Sequence, residues 1–341
     1  MGHPFGMVSA TKTTRAVALV LAVSGCAPAA ASSPAPADGS VPAVVPSCAA
    51  AGVDYPVTRV PVGPWTFDVR TAGPADGEAV LLLHGFPETS YEWRYQMQAL
   101  AAAGYHAIAP DQRGYSPGAR PGSTSEYALT NMITDALGIV GALGVDRFHV
   151  VGHDWGAAVA WGLALVAPQQ VITLTSVSIP APGALTVTLA DKTSCQYNDF
   201  AFYDLFVMPA SQDLFLSNGA QVLRSTYAEL SPYAERKYMD ALDSEDAMGA
   251  AMNWYRANVQ DRQVVGAVST PVTVPTMIVW GDHDDKVCRA TIDLSAPYVS
   301  APYRLEVVAG ADHWLPEGAA ARLNEVLLEH FASPDASTPD R

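Results

Sequence analysis

The stretch Phe148-His-Val-Val-Gly-His-Asp-Trp-Gly-Ala-Ala158 constrains this chain more than any other. A largely apolar strand run breaks at Gly152-His153-Asp154-Trp155-Gly156 and continues into a helix of small residues. A strand that turns sharply into a helix strains the residue at the turn, and bulky neighbours would collide there. Gly152 and Gly156 leave the room, and Asp154 is the residue presented. A carboxylate in that place is a nucleophile that forms an alkyl ester, which directs the chemistry to attack on carbon.

Strand and helix signals alternate on both sides of this turn. Residues 79–83 form a continuous apolar run, as expected of a strand buried on both faces, and end in His84-Gly85-Phe86-Pro87-Glu88-Thr89-Ser90. A hairpin at 57–69 precedes them. A helix at 93–103, a strand at 106–109, a helix at 129–143, the turn strand and a strand at 172–178 follow. That order predicts an α/β fold, a mostly parallel sheet flanked by helices with right-handed crossovers. The rhythm breaks at Pro180-Ala-Pro-Gly183, is helical and aromatic to about Val265, and resumes with strands at 276–280 and 303–308 and a helix at 319–331. The middle block therefore reads as a helical cap inserted after the sixth core strand. The expected divisions are core at 52–180, cap at 181–268, core again at 269–333, and a tail at 334–341.

The N-terminus has a different character. Lys12 and Arg15 precede an apolar run at 16–23 and then Ser24-Gly25-Cys26, the charged, apolar, small-residue order of an export signal. The run is too short to span a bilayer. Val23-Ser24-Gly25-Cys26 resembles a bacterial lipobox, which predicts a signal at 1–25 and a lipid on Cys26; a plain signal peptide cut near 29–33 is the alternative. Residues 26–51, rich in Ala, Pro and Ser, read as a flexible tether. Export would leave Cys48, Cys195 and Cys288 in an oxidising compartment, enough for one disulfide of undetermined pairing and one odd thiol. No Cys or His spacing suits a metal site, and nothing calls for a cofactor. A net charge of −15 argues against nucleic acid or an anionic membrane surface as partner.

Taken in order, HGFPETSYEW, DQRGYS, GHDWG, NWYR and GADHW resemble an epoxide hydrolase of the α/β-hydrolase fold, over residues 55–331. The resemblance implies that Asp154 attacks the less hindered epoxide carbon and that His313, neutral at physiological pH, activates the water that cleaves the ester. Asp284 would orient His313, with Asp282 and Asp285 as solvated neighbours. Backbone N–H groups of Phe86 and Trp155 would form the oxyanion hole. Two cap tyrosines would donate to the epoxide oxygen: Tyr255, and either Tyr203 or Tyr197, of which Tyr203 fits the spacing better. His84, His149, His153 and His283 read as structural. A haloalkane dehalogenase shares the fold, the Asp nucleophile and a Trp at position 155, but Phe86 and the cap tyrosines favour an epoxide. A surface binding protein without catalysis is the reading from another class.

Overall fold

The computed structural model describes residues 53–228, 230–264 and 270–333. The expected signal at 1–25, Cys26, the tether at 26–51 with Cys48, the end of the cap at 265–268 and the tail at 334–341 lie outside the described residues.

The strands are β1 (Val57–Val62), β2 (Trp65–Ala72), β3 (Ala79–Leu83), β4 (His106–Pro110), β5 (Phe148–His153), β6 (Val171–Val177), β7 (Val259–Gln260), β8 (Gln263–Val264), β9 (Thr276–Gly281) and β10 (Tyr303–Val308). Eight of them form one sheet in the order β1-β2-β4-β3-β5-β6-β9-β10, while β7 and β8 pair with each other. β2 runs antiparallel to β1 and to β4; the remaining neighbours in the large sheet are parallel. The period-two alternation of a strand explains the fully apolar β3: Leu81 and Leu83 enter the core on one face, Val80 and Leu82 the core on the other.

The helices are α1 (Arg94–Ala102), α2 (Leu129–Ala142) and α3 (Trp155–Val166) in the first part of the core. The cap holds α4 (Pro182–Ala190), α5 (Cys195–Asp199), α6 (Tyr203–Phe206), α7 (Gln212–Thr226), α8 (Pro232–Leu242) and α9 (Glu245–Asn258). α10 (Arg289–Asp293), α11 (Leu315–Gly318) and α12 (Ala320–Ala332) complete the chain. Met97 and Leu100 of α1 and Leu323, Val326 and Leu327 of α12 cover the Val80 face, and Met132 of α2 and Leu163 of α3 cover the Leu81 face. This is the α/β-hydrolase architecture, with the cap between β6 and β9.

Three local features differ from the expectations drawn from the sequence. The helix expected from residue 93 is preceded by a 3-10 turn, Ser90–Trp93, because the Thr89 side chain accepts the Tyr91 N–H and starts it early. The expected last helix is α12, and a short helix not expected from the sequence, α11, with a proline in its first turn, stands before it. The cap ends in the β7–β8 hairpin, whose turn residues Asp261 and Arg262 both have positive φ, 48° and 63°. Two-residue strands carry no periodicity to read.

The cap is fastened to the core by groups far apart in sequence. The Trp254 indole donates to the Arg113 carbonyl at 2.7 Å, and the Asn258 amide accepts from Leu129 N–H and donates to the Tyr127 carbonyl. The disulfide is Cys195–Cys288, joining the start of α5 to the loop before α10 with Cα atoms 6.2 Å apart. Under α8, Glu317 accepts two bonds from Arg94 and one from the Tyr238 hydroxyl, each at 2.5 Å, and the Arg94 and Glu317 side chains are 3% and 2% exposed. Glu317→Ala would strand a buried guanidinium and a buried phenol, a loss of about 3–5 kcal/mol. Thermal unfolding should then begin about 10 °C lower; an unchanged midpoint would contradict this role for the pair.

Candidate active site

Asp154 has φ 50° and ψ −121°, a backbone conformation that L residues seldom adopt. The tight glycine packing holds it there: a Cβ on Gly152 would run into the Gly156 backbone, and one on Gly156 into the Leu83 carbonyl. The side chain leaves the end of β5 at the N-terminus of α3, whose dipole favours a carboxylate. The loop after β3 brings up Phe86, whose N–H donates to Asp154 Oδ1 at 2.9 Å. Trp155 opens α3, so its N–H has no acceptor within the helix.

His313, in the loop after β10, places Nε2 3.6 Å from Asp154 Oδ2 and Nδ1 3.0 Å from Asp284 Oδ2. Asp284 follows β9, and its other oxygen accepts the N–H groups of Lys286 and Val287 at 2.8 and 2.9 Å. Those two bonds fix the carboxylate, and the carboxylate fixes the imidazole. Neither neighbouring acid faces His313: Asp282 accepts from Gly310 N–H, and Asp285 pairs with Lys286 at the surface.

Burial alone would lower the His313 pKa, but the charge of Asp284 and the hydrogen bonds with Asp154 and Asp284 outweigh it and raise it to about 9. The expectation of a neutral resting imidazole is therefore corrected: with two carboxylates beside it, His313 holds its proton at neutral pH. Asp154 is shifted the other way: burial opposes its charge, but the interactions with His313 and His153 and the Phe86 N–H bring its pKa below the ordinary value. Asp154→Asn removes one of the two carboxylates, so the His313 pKa should fall by about one unit or more. An NMR titration of the imidazole reads this directly, and a value still near the parent's would contradict the coupling.

Beneath His313 lies a buried layer whose histidine reads, from sequence, as merely structural. His153 Nε2 is 3.0 Å from the His313 carbonyl, which also accepts the Ser178 hydroxyl at 2.8 Å. On its other side His153 meets Glu92 at 3.2 Å and Glu88 at 3.4 Å, all three fully buried. Burial opposes charge on each, yet hydrogen bonds from Glu92 and His153 lower the Glu88 pKa, while burial and the Glu88 charge raise that of Glu92. These are also the described residues whose spacing suits a metal ion, with ligand atoms within 4.8 Å of one another. No local pattern in the sequence signals this layer, because His153 lies 61 residues from Glu92. His84 and His149 make structural bonds, and His283 is exposed.

The cap supplies the roof. Tyr203, on α6, and Tyr255, on α9, have ring centroids 5.4 Å apart, and Tyr255 packs edge-on against Phe86 and Trp155 at 5.2 Å each. Both line the cavity that holds Asp154 and His313. Tyr197 does not: its ring lies against the Arg262 guanidinium, 4.4 Å away. Burial first, then the Asp154 charge, raises both the Tyr203 and Tyr255 pKa values well above the ordinary one, so both hydroxyls keep their protons.

Residues 78–319 match the family model described as the alpha/beta hydrolase fold. The chain belongs to the α/β-hydrolase family. It is similar to Epoxide hydrolase A of Mycobacterium tuberculosis, 29% identical over 297 residues that cover 76% of this chain and 92% of that protein. It is 31% identical over 272 residues to the AB hydrolase superfamily protein YfhM of Bacillus subtilis, covering 78% and 94%. Among solved structures, epoxide hydrolase VrEH1 from Vigna radiata superposes with a TM-score of 0.70 at 28% identity, covering 82% of this chain and 98% of that one. The resemblance to epoxide hydrolases read from the sequence thus holds for this α/β-hydrolase both among curated relatives and among solved structures of other proteins.

Proposed function

We propose that this α/β-hydrolase converts an epoxide and water to a vicinal diol through an ester on Asp154. One observation carries the reading: two protonated cap tyrosines converge over an Asp nucleophile backed by His313 and Asp284. Asp154 Oδ2 attacks an epoxide carbon while Oδ1 stays with the Phe86 N–H, and the Trp155 N–H at the start of α3 completes the hole for the later oxyanion. As the ring carbon–oxygen bond breaks, Tyr203 or Tyr255 gives the oxygen a proton. Loss of the Asp154 charge in the ester lowers the pKa of both tyrosines and of His313, and the imidazolium proton restores the tyrosine. Neutral His313 then takes a proton from water, whose oxygen attacks the ester carbonyl. The oxyanion forms in the hole; its collapse breaks the bond to the diol oxygen, which takes a proton from the His313 imidazolium, and the new carboxyl returns its proton to His313, restoring carboxylate and imidazolium.

Epoxides assayed for diol, beside haloalkanes assayed for halide, test the reading. Diol without halide is expected; halide release alone would assign the site to dehalogenation, and neither product would leave a binding role.

We also propose that the protein is exported and anchored by a lipid on Cys26. The lipobox-like segment motivates this, and the Cys195–Cys288 disulfide suits an oxidising compartment. Mass spectrometry of protein from its host should find Cys26 as a lipidated N-terminus; an intact Met1 in the cytoplasm would overturn it.

A further inference from the structure

Asp154 stands between two chambers of very unequal size. The larger, about 260 Å³, runs from the nucleophile between α3 and the cap, past Ala158, Trp161, Leu165, Leu185 and Phe200, to a mouth at Val166, which is 61% exposed. The smaller, about 20 Å³, lies on the other side under Phe86, Phe202, Phe206, Val287 and Trp314. Asp154, Ile179, Phe200 and Tyr203 border both, so a substrate at the nucleophile extends into each.

The sizes set what can enter. An apolar cavity of about 150 Å³ holds a six-carbon ring, so the large chamber holds about ten non-hydrogen atoms, and the small one about a single water or methyl group. Charge is restricted as well. No Lys, Arg or His lines the large chamber among the described residues. Its one amide, on Asn258, is spent on Leu129 N–H and on the Tyr127 and Trp254 carbonyls. A carboxylate deep in the chamber, against Ala158, Trp161 and Phe200, would lose its hydration and meet no cation.

We propose that the preferred substrates are terminal epoxides with one uncharged, apolar substituent of about ten non-hydrogen atoms. This rests on the epoxide reading of the same site. The substituent fills the large chamber, and the unsubstituted carbon, facing the small one, takes the bond from Asp154 Oδ2. The bond from that carbon to the ring oxygen breaks, and the oxygen takes its proton from the cap tyrosines. Epoxides with a large group on both carbons are excluded by the small chamber, because Phe202 and Phe206 stand where the second group must go.

Two isomers of decene oxide make the test, since they share formula and apolar surface: the terminal isomer, with one octyl group, and the central isomer, with two butyl groups. kcat/KM should favour the terminal isomer by about 100-fold. A terminal epoxide with a carboxylate close to the ring, within the apolar depth of the chamber, should react about 10-fold worse than its methyl ester. Phe202→Ala should lower the terminal-over-central ratio of kcat/KM about 10-fold, and an unchanged ratio would overturn the small chamber as the source of the preference. Equal turnover of both isomers, or preference for the central one, would overturn the substrate assignment and leave the epoxide reading intact. No diol from either isomer or from styrene oxide would overturn the epoxide reading itself.

Discussion

His313→Gln should lower steady-state diol formation by about 1,000-fold or more while leaving one rapid turnover of epoxide consumption per active site. In the proposed mechanism the two halves of the reaction use different groups. Ring opening needs Asp154 Oδ2 and the cap hydroxyls, whereas ester cleavage needs a base, and among the described residues His313 is the imidazole within reach of Asp154 Oδ2. Gln keeps much of the side-chain volume and can still donate toward the carboxylates, so the site retains its shape. Rapid-quench kinetics with enzyme near substrate concentration separate the phases. Equal losses in burst and steady state would mean that His313 serves the first step as well.

Replacing both Tyr203 and Tyr255 with Phe should slow that burst by about 1,000-fold, because an alkoxide is a poor leaving group without a proton donor. Each single replacement should cost less, about 10-fold to 100-fold, since the remaining hydroxyl still reaches the oxygen and the pair acts as a unit. The rings pack against one another and against Phe86 and Trp155, and Phe preserves those contacts. Tyr197→Phe is the control: its ring lies against Arg262 and lines neither chamber, so ring opening should be unaffected. A double variant that opens epoxides at the parent rate would remove the tyrosines from the chemistry.

Much of this site is legible in the amino-acid sequence, for physical reasons that differ by residue. Asp154 is marked by its own backbone: the strained turn needs small neighbours, and Gly152 and Gly156 flank it in sequence, although the Leu83 carbonyl that Gly156 packs against comes from another strand. Asp284 follows the fully buried β9 and His313 the edge strand β10, and parallel strands bring such ends to one edge of the sheet. Tyr203 and Tyr197 share a sequence pattern, and only the turn of α5 into α6 decides which ring meets Asp154. The His313 charge depends on a pair of carboxylates from two other loops, so no local pattern reports it. The same holds for the Glu88, Glu92 and His153 layer, for the Arg94–Glu317–Tyr238 bridge, and for the unequal chambers, which arise from packing between the cap and the core.

The covalent step is the centre of this mechanism, and the fate of the water oxygen tests it most directly. With enzyme in excess over a terminal epoxide in heavy-oxygen water, a single turnover through the Asp154 ester gives a diol free of label. Asp154 itself supplies the new hydroxyl oxygen, and the water oxygen enters its carboxylate, where peptide mass spectrometry locates it. Heavy oxygen in the first-turnover diol, with none in the Asp154 peptide, would mean that water attacks the epoxide directly and would contradict the nucleophilic role of Asp154.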